Sequence, residues 1–291
     1  MYRASAEGPF IGVSPSQSAS ASMAWRLHRE VVLLAGWGRA ILLQVAHPLV
    51  ARGVADHSPF AAEPWGRVKR LERTLRAMLT LTFGTPGEIA AVAAHISRVH
   101  DGIHGRLGEG AGAFDRGASY SAHDPALLGW VHATLLDSFL LTYERFVAPL
   151  TPAERDCYCR EASAGASLLG IPPGRPPQSA AELAAYMKRM LEGGDIAVTA
   201  AAREIAREVL APPAPWPARP LLALARLPAI GLLPPSIRSG YGFAWTPRQD
   251  RALRLLAAAV RGALPLAPSA LRYWPAARAA AARERRTGII G

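Results

Sequence analysis

The sequence predicts an all-α fold, a single multi-helix domain of about nine to eleven helices on the usual lengths of helices and loops. Three observations carry this. Half of the 291 residues are hydrophobic but only 7% are aromatic, and alanine and leucine dominate, residues that lose little freedom in a helix. No stretch shows the alternation of a half-buried strand. Helix-start patterns recur along the chain: Thr85-Pro86 with Glu88, Thr151-Pro152 with Glu154, and Ser179 with Glu182.

Composition also excludes function classes. No GxGxxG fingerprint, P-loop, GxSxG elbow or repeat period appears, which sets aside nucleotide-dependent and triad-hydrolase chemistry. The formal charge of +11 comes mostly from arginine, with Lys69 and Lys188 the two lysines. This Arg-for-Lys, Ala-rich bias is what a GC-rich genome produces. With no RNP motif, zinc-finger spacing or helix-turn-helix signature, nucleic acid is not an expected partner. Cys157 and Cys159 stand two apart and point to different sides of a helix, a poor disulfide pair that suits a reducing, cytoplasmic setting.

Taken in order, residues 1–22 are small and polar, with no basic segment followed by an apolar core, and read as a disordered leader, not a signal peptide. The domain is expected over 23–277 and a basic, frayed tail over 278–291 that suits peripheral association with an anionic membrane surface. The first helix starts near Ser22 and runs through WRLHREVVLLAGWGRAILLQVAHPLVARGVA. Arg39, Gln44 and His47 interrupt it short of the about eighteen apolar residues a membrane span needs, and Gly36 and Gly38 are expected to break it. Pro48 should force a kink at His47.

RVKRLERTLRAMLTLTFGT follows as an amphipathic helix, with Leu71, Leu75, Met78 and Leu79 on one face and Arg67, Lys69, Arg70 and Arg73 on others. Thr85-Pro86 then launches a helix expected to carry His95, His100 and His104. After a glycine-rich hinge over 108–117, a second helix opens near His123, capped by Ser121 or Asp124, and carries His132 at its middle.

All eight histidines fall at or before His132. Two helices facing each other with inward imidazoles are a usual way for a helical protein to hold a metal or haem iron, so residues 95–146 are expected to form a central pair that holds one of the two. His132, among Leu128, Val131, Leu135 and Leu136, would be costly to bury without a partner. An HxxxH grip on another metal by His100 and His104, and an ordinary polar face, both stay open. His28 and His57 read as solvated or loop residues. Asp137 and Glu144 share a side two turns apart, placed to meet arginines of neighbouring helices. The rest of the chain offers two proline-stiffened connectors and Arg238, a candidate for a propionate contact.

LLQVAHPLVARGVADHS, RVHDGIHG, YSAHDPALLGWVHATLLDS and YERFVAPLTPAER, in this order, resemble the family that groups the MpaB-type oxygenases with the catalytic domain of rubber oxygenase, the latex clearing protein. The resemblance covers roughly residues 30–191, and more weakly reaches about 255. It implies an all-helical domain holding one haem b, a histidine as proximal iron ligand matched by His132, and oxidative cleavage of carbon–carbon double bonds in isoprenoids. Rubber oxygenase carries on its other haem face an arginine followed three residues later by a lysine. The helix aligned to it here reads Ser97-Arg98-Val99-His100, a departure that points away from rubber and toward a small apolar isoprenoid or lipid.

The resulting expectation is a haem-dependent oxygenase in which His132 holds iron, His100 and Arg98 act on dioxygen, and His47 and Arg238 line the cofactor site. A mostly apolar pocket should touch His47, His100 and His132 together. The alternative is a non-catalytic helical protein that binds haem or lipid.

Overall fold

The structure is a computed structural model that describes residues 22–57, 66–211 and 219–286. Fourteen α-helices and one two-stranded sheet occur among the described residues. The number exceeds the expectation because three helices are pieces of only four to six residues: α1 (Met23–His28), α11 (Pro235–Gly240) and α13 (Ser269–Arg272). The leader, and the assignments to Arg67, Lys69, Arg70 and Leu71, lie outside the residues whose side chains are described.

The core is organised around α6 (Pro125–Phe146), crossed by α2 (Leu34–Val45), which also packs on α10 (Arg219–Gly231). Gly36 and Gly38 do not break α2. They let it approach its neighbours: a Cβ on Gly36 would fall 2.1 Å from Thr142 Oγ1, and one on Gly38 2.8 Å from Ala229 Cβ. The expected long first helix breaks instead after His28, where Glu30 bridges to Tyr273 and a 3₁₀ turn, Val31–Leu33, follows. It breaks again at Pro48, where α3 (Pro48–His57) leaves at 103° to the preceding segment, as the proline rule requires.

α6 is also long and apolar enough to cross a membrane, yet 56% of its most apolar window is buried within the protein. Its polar positions are matched as expected. Arg39 on α2 is 4% exposed and holds Asp137 at 2.7 Å while donating to Ser138 Oγ and the Leu232 carbonyl. Arg155, on α7 (Pro152–Ala164), donates to Glu144 at 2.8 Å. A buried arginine with each of its three nitrogens bonded is part of a satisfied network.

The pairing expected for residues 95–146 is corrected. α5 (Pro86–Asp101) starts at the Thr85/Glu88 capping box but ends at Gly102, so His104 leaves the helix and enters β1 (His104–Arg106). β1 pairs antiparallel with β2 (Ser119–Ser121), His104 opposite Ser121. A Cβ on Gly105 would meet the Tyr120 hydroxyl at 2.5 Å, which is why glycine stands there. α5 packs on α4 (Gly66–Phe83) and on the 3₁₀ turn Ala166–Leu169, so the principal partner of α6 is α2.

α8 (Ala180–Glu192), α9 (Ala200–Leu210) and α12 (Pro247–Ala263) complete the body. Residues 278–286, expected as tail, belong to α14 (Pro275–Arg286). Ala277 and Ala280 pack with Trp25 and Phe83, and the short apolar side chain of alanine is what fits there.

Candidate functional site

Four helices and one turn present helix-spaced stripes to a single cavity. α6 supplies His132, Leu135, Leu136 and Phe139, at i, i+3, i+4 and i+7; α4 supplies Met78, Leu81 and Thr82; α7 supplies Tyr158, Glu161 and Ala162; α1 supplies Ala24 and His28. Such spacing places each set on one face of its helix. The 3₁₀ turn closes the end with Gly165, Ala166 and Leu169. The cavity measures about 100 Å³ and its walls are mostly apolar.

The polar atoms of this lining are committed, with one exception. Thr82 Oγ1 donates its hydrogen to the Met78 carbonyl at 3.1 Å, so toward His28 Nδ1, 3.1 Å away, it acts as acceptor. Nδ1 therefore carries the proton of a neutral ring, and Nε2 accepts from the Tyr158 hydroxyl at 3.0 Å. Burial, with a smaller repulsion from His132, lowers the His28 pKa to about 4, which keeps the ring neutral at physiological pH. Glu161 is spent on structure: Oε2 accepts from the Ala24 backbone N–H at 2.8 Å and Oε1 from Cys157 Sγ at 3.3 Å.

His132 is the exception. Its Nε2 is enclosed and has no hydrogen-bond partner, and burial lowers its pKa to about 4. A neutral imidazole nitrogen, buried in an apolar cavity and unpaired, lacks the partner such groups nearly always have. A metal ion bound through that nitrogen is one chemistry that supplies it.

The other expected site residues stand elsewhere. His47 is 4% exposed, accepts from the Leu49 N–H through Nδ1 at 3.3 Å, and packs against Phe114 with ring centres 5.1 Å apart. Burial lowers its pKa to about 4. It caps the α2–α3 corner. His100 is half-buried on α5, 5.9 Å from the His123 ring, and burial and that neighbour lower its pKa.

Arg98 is exposed. Arg238 donates to the Gly231 carbonyl at 3.3 Å and lies over Trp245. None of these four lines the cavity of His132, so among the described residues that cavity is not the expected shared pocket of His47, His100 and His132. The physical reason is that α5 packs on α4 and on the 3₁₀ turn Ala166–Leu169, while the principal partner of α6 is α2. The HxxxH alternative also dissolves, since His100 is helical and His104 lies in β1. Among the described residues no group of three or more histidines, cysteines or carboxylates is placed to hold a metal ion.

His28, Thr82 and Tyr158 were not foreseen. A signal existed for His28, which stands four residues after the buried Ala24 and three after the buried Trp25, hence on the buried face of α1.

The family model described as ER-bound oxygenase mpaB/B'/Rubber oxygenase, catalytic domain, matches residues 25–262. The chain belongs to that family. The chain is also 27% identical over 237 residues to an uncharacterised protein of Mycobacterium bovis and, to the same extent, to one of Mycobacterium tuberculosis. The alignments cover 80% of this chain and 89% of each relative. No solved structure matches. The matched span contains every residue that lines the His132 cavity except Ala24, so the fold position of that cavity falls inside the oxygenase catalytic domain.

Proposed function

We propose that this MpaB/rubber oxygenase family member is a haem b-dependent oxygenase that cleaves a carbon–carbon double bond of a small isoprenoid or lipid, with His132 Nε2 as the iron ligand. The observation that carries the reading is the unpartnered, enclosed Nε2 in an apolar cavity of an oxygenase domain. The donor is of the kind that would hold a haem iron, a neutral imidazole nitrogen. The space is smaller than the roughly 300–1,000 Å³ usual for cofactor and substrate sites, so loading requires the walls to part.

Haem, when bound, supplies the activation of dioxygen. The chain does the remaining work. His132 anchors the group from α6, and burial keeps its imidazole unprotonated and available. Leu135, Leu136, Phe139, Met78 and Leu81 exclude water and offer apolar contact to an acyl or prenyl chain. The Thr82–His28–Tyr158 chain fixes the facing polar atoms, leaving the Tyr158 oxygen as an acceptor and no spare N–H or O–H in this wall.

The test is the absorption spectrum of protein made with ample haem. A Soret band is expected, and His132→Gly should lose it and regain it with added imidazole. Colourless wild-type protein that takes up no added haemin overturns the reading.

A further inference from the structure

A second cavity, larger than that of His132 at about 330 Å³, lies between α1, α13 and α14. It is lined by Trp25, Arg29, Ser269, Tyr273, Ala277, Arg278, Ala281 and Arg285, and holds no carboxylate. Three arginines line it, Arg29 from the end of α1 and Arg278 and Arg285 from α14. Arg29 Nε is buried and has no hydrogen-bond partner, while the guanidinium carbon lies 4.5 Å from the Tyr273 ring centre.

Glu30, next to Arg29 in the chain, is already taken: Arg272 donates to both of its oxygens, at 2.7 and 2.9 Å. Among the described residues Arg278 and Arg285 form no ion pair. Seven positions apart on α14, they share a face with Ala281 between them.

Like charges gathered around an enclosed, unanswered donor call for an anion. We propose that this cavity binds the phosphate group of an organic phosphate. Guanidinium forks match phosphate oxygens bidentately, and three of them balance a dianion better than a single carboxylate. Trp25, Tyr273 and the alanines form the apolar side of the same space, which suits the organic part of the ligand and favours it over bare phosphate. The site does not use the His132 cavity, and its α13 and α14 residues lie beyond the span that the family model matches.

Isothermal titration of the full chain with phenyl phosphate, inorganic phosphate and sodium chloride tests this, together with flotation on phosphatidylcholine vesicles with and without phosphatidic acid. Phenyl phosphate should bind more tightly than inorganic phosphate, and binding should weaken with salt. The double variant Arg278→Glu/Arg285→Glu should weaken it by about tenfold or more. Both positions are exposed, so circular dichroism should be unchanged. Arg251→Glu, an exposed change on α12, is the charge control and should bind as wild type.

If only vesicles with phosphatidic acid bind, and the double variant abolishes this, the phosphate is that of a lipid headgroup. Failure of every phosphate probe, or equal loss in Arg251→Glu, overturns the site.

Discussion

The Tyr158 hydroxyl donates to His28 Nε2 across 3.0 Å, with the two rings 5.6 Å apart and nearly perpendicular at 84°. Tyr158 is fully buried, and burial holds its phenol well above the ordinary pKa, so it remains a donor. Tyr158→Phe leaves Nε2 an enclosed acceptor without a hydrogen and should cost roughly 1–3 kcal/mol in urea unfolding. The same change removes a bond that favours neutral imidazole, so His28 should titrate above its present value of about 4 in an NMR titration. An unchanged unfolding midpoint would contradict the hydrogen bond, and a His28 that titrates lower still would contradict the assigned tautomer.

His100 and His132 separate by spectrum. His100 sits beside His123 outside the His132 cavity, so His100→Ala should retain the wild-type Soret position and haem content, whereas His132→Ala should retain no haem. A shifted band in His100→Ala would return α5 to the cofactor site.

Acid should destabilise the fold through three imidazoles. His28, His47 and His132 titrate near 4 when folded and near 6.5 otherwise, so the unfolded chain takes up protons first as pH falls. Their contribution is present above about 6.5 and is lost progressively down to about 4. For each ring, every tenfold difference in proton affinity between the folded and unfolded chain is worth about 1.4 kcal/mol. Urea midpoints across that window should fall with pH, and His47→Gln should flatten the slope. A midpoint constant from pH 7 to 4 would contradict the buried, neutral state of these rings.

Capping and periodicity were legible because they are local. Thr85 with Glu88, Thr151 with Glu154, Asp124 before Pro125 and the turn at Pro48 are set by neighbours in sequence. The partners of Asp137 and Glu144 were legible in kind, as arginines of adjacent helices. His132 stood out because an imidazole within an apolar stripe needs a partner.

The partner elements of its cavity were not legible. Whether α5 or α4 faces α6 is set by packing between elements distant in sequence, which local patterns do not encode. His28 lay in the polar-looking run WRLHRE, where its buried neighbours at three and four residues were outvoted by flanking charges.

Gly36→Ala tests the reason α2 can cross α6. Alanine normally stabilises a helix interior relative to glycine by about 0.5–1 kcal/mol. Here its Cβ would collide with Thr142 Oγ1 and press on the Ser138 carbonyl, so overpacking should destabilise by about 1–3 kcal/mol instead. Gly87→Ala, which would meet nothing within 4 Å, should be neutral or stabilising in the same thermal melts.

Glu30 and Arg272 are 242 positions apart and joined by three hydrogen bonds, with Glu30 wholly buried. At the roughly 5–20 residues per second of ribosomal synthesis, the carboxylate waits on the order of tens of seconds for its cation. An unpaired carboxylate stays in water, so the junction after α1 cannot seat while the chain is nascent. The helix that brings His28 to the cavity is therefore expected to dock late, and a ribosome-bound chain halted before residue 272 should leave His28 open to solvent.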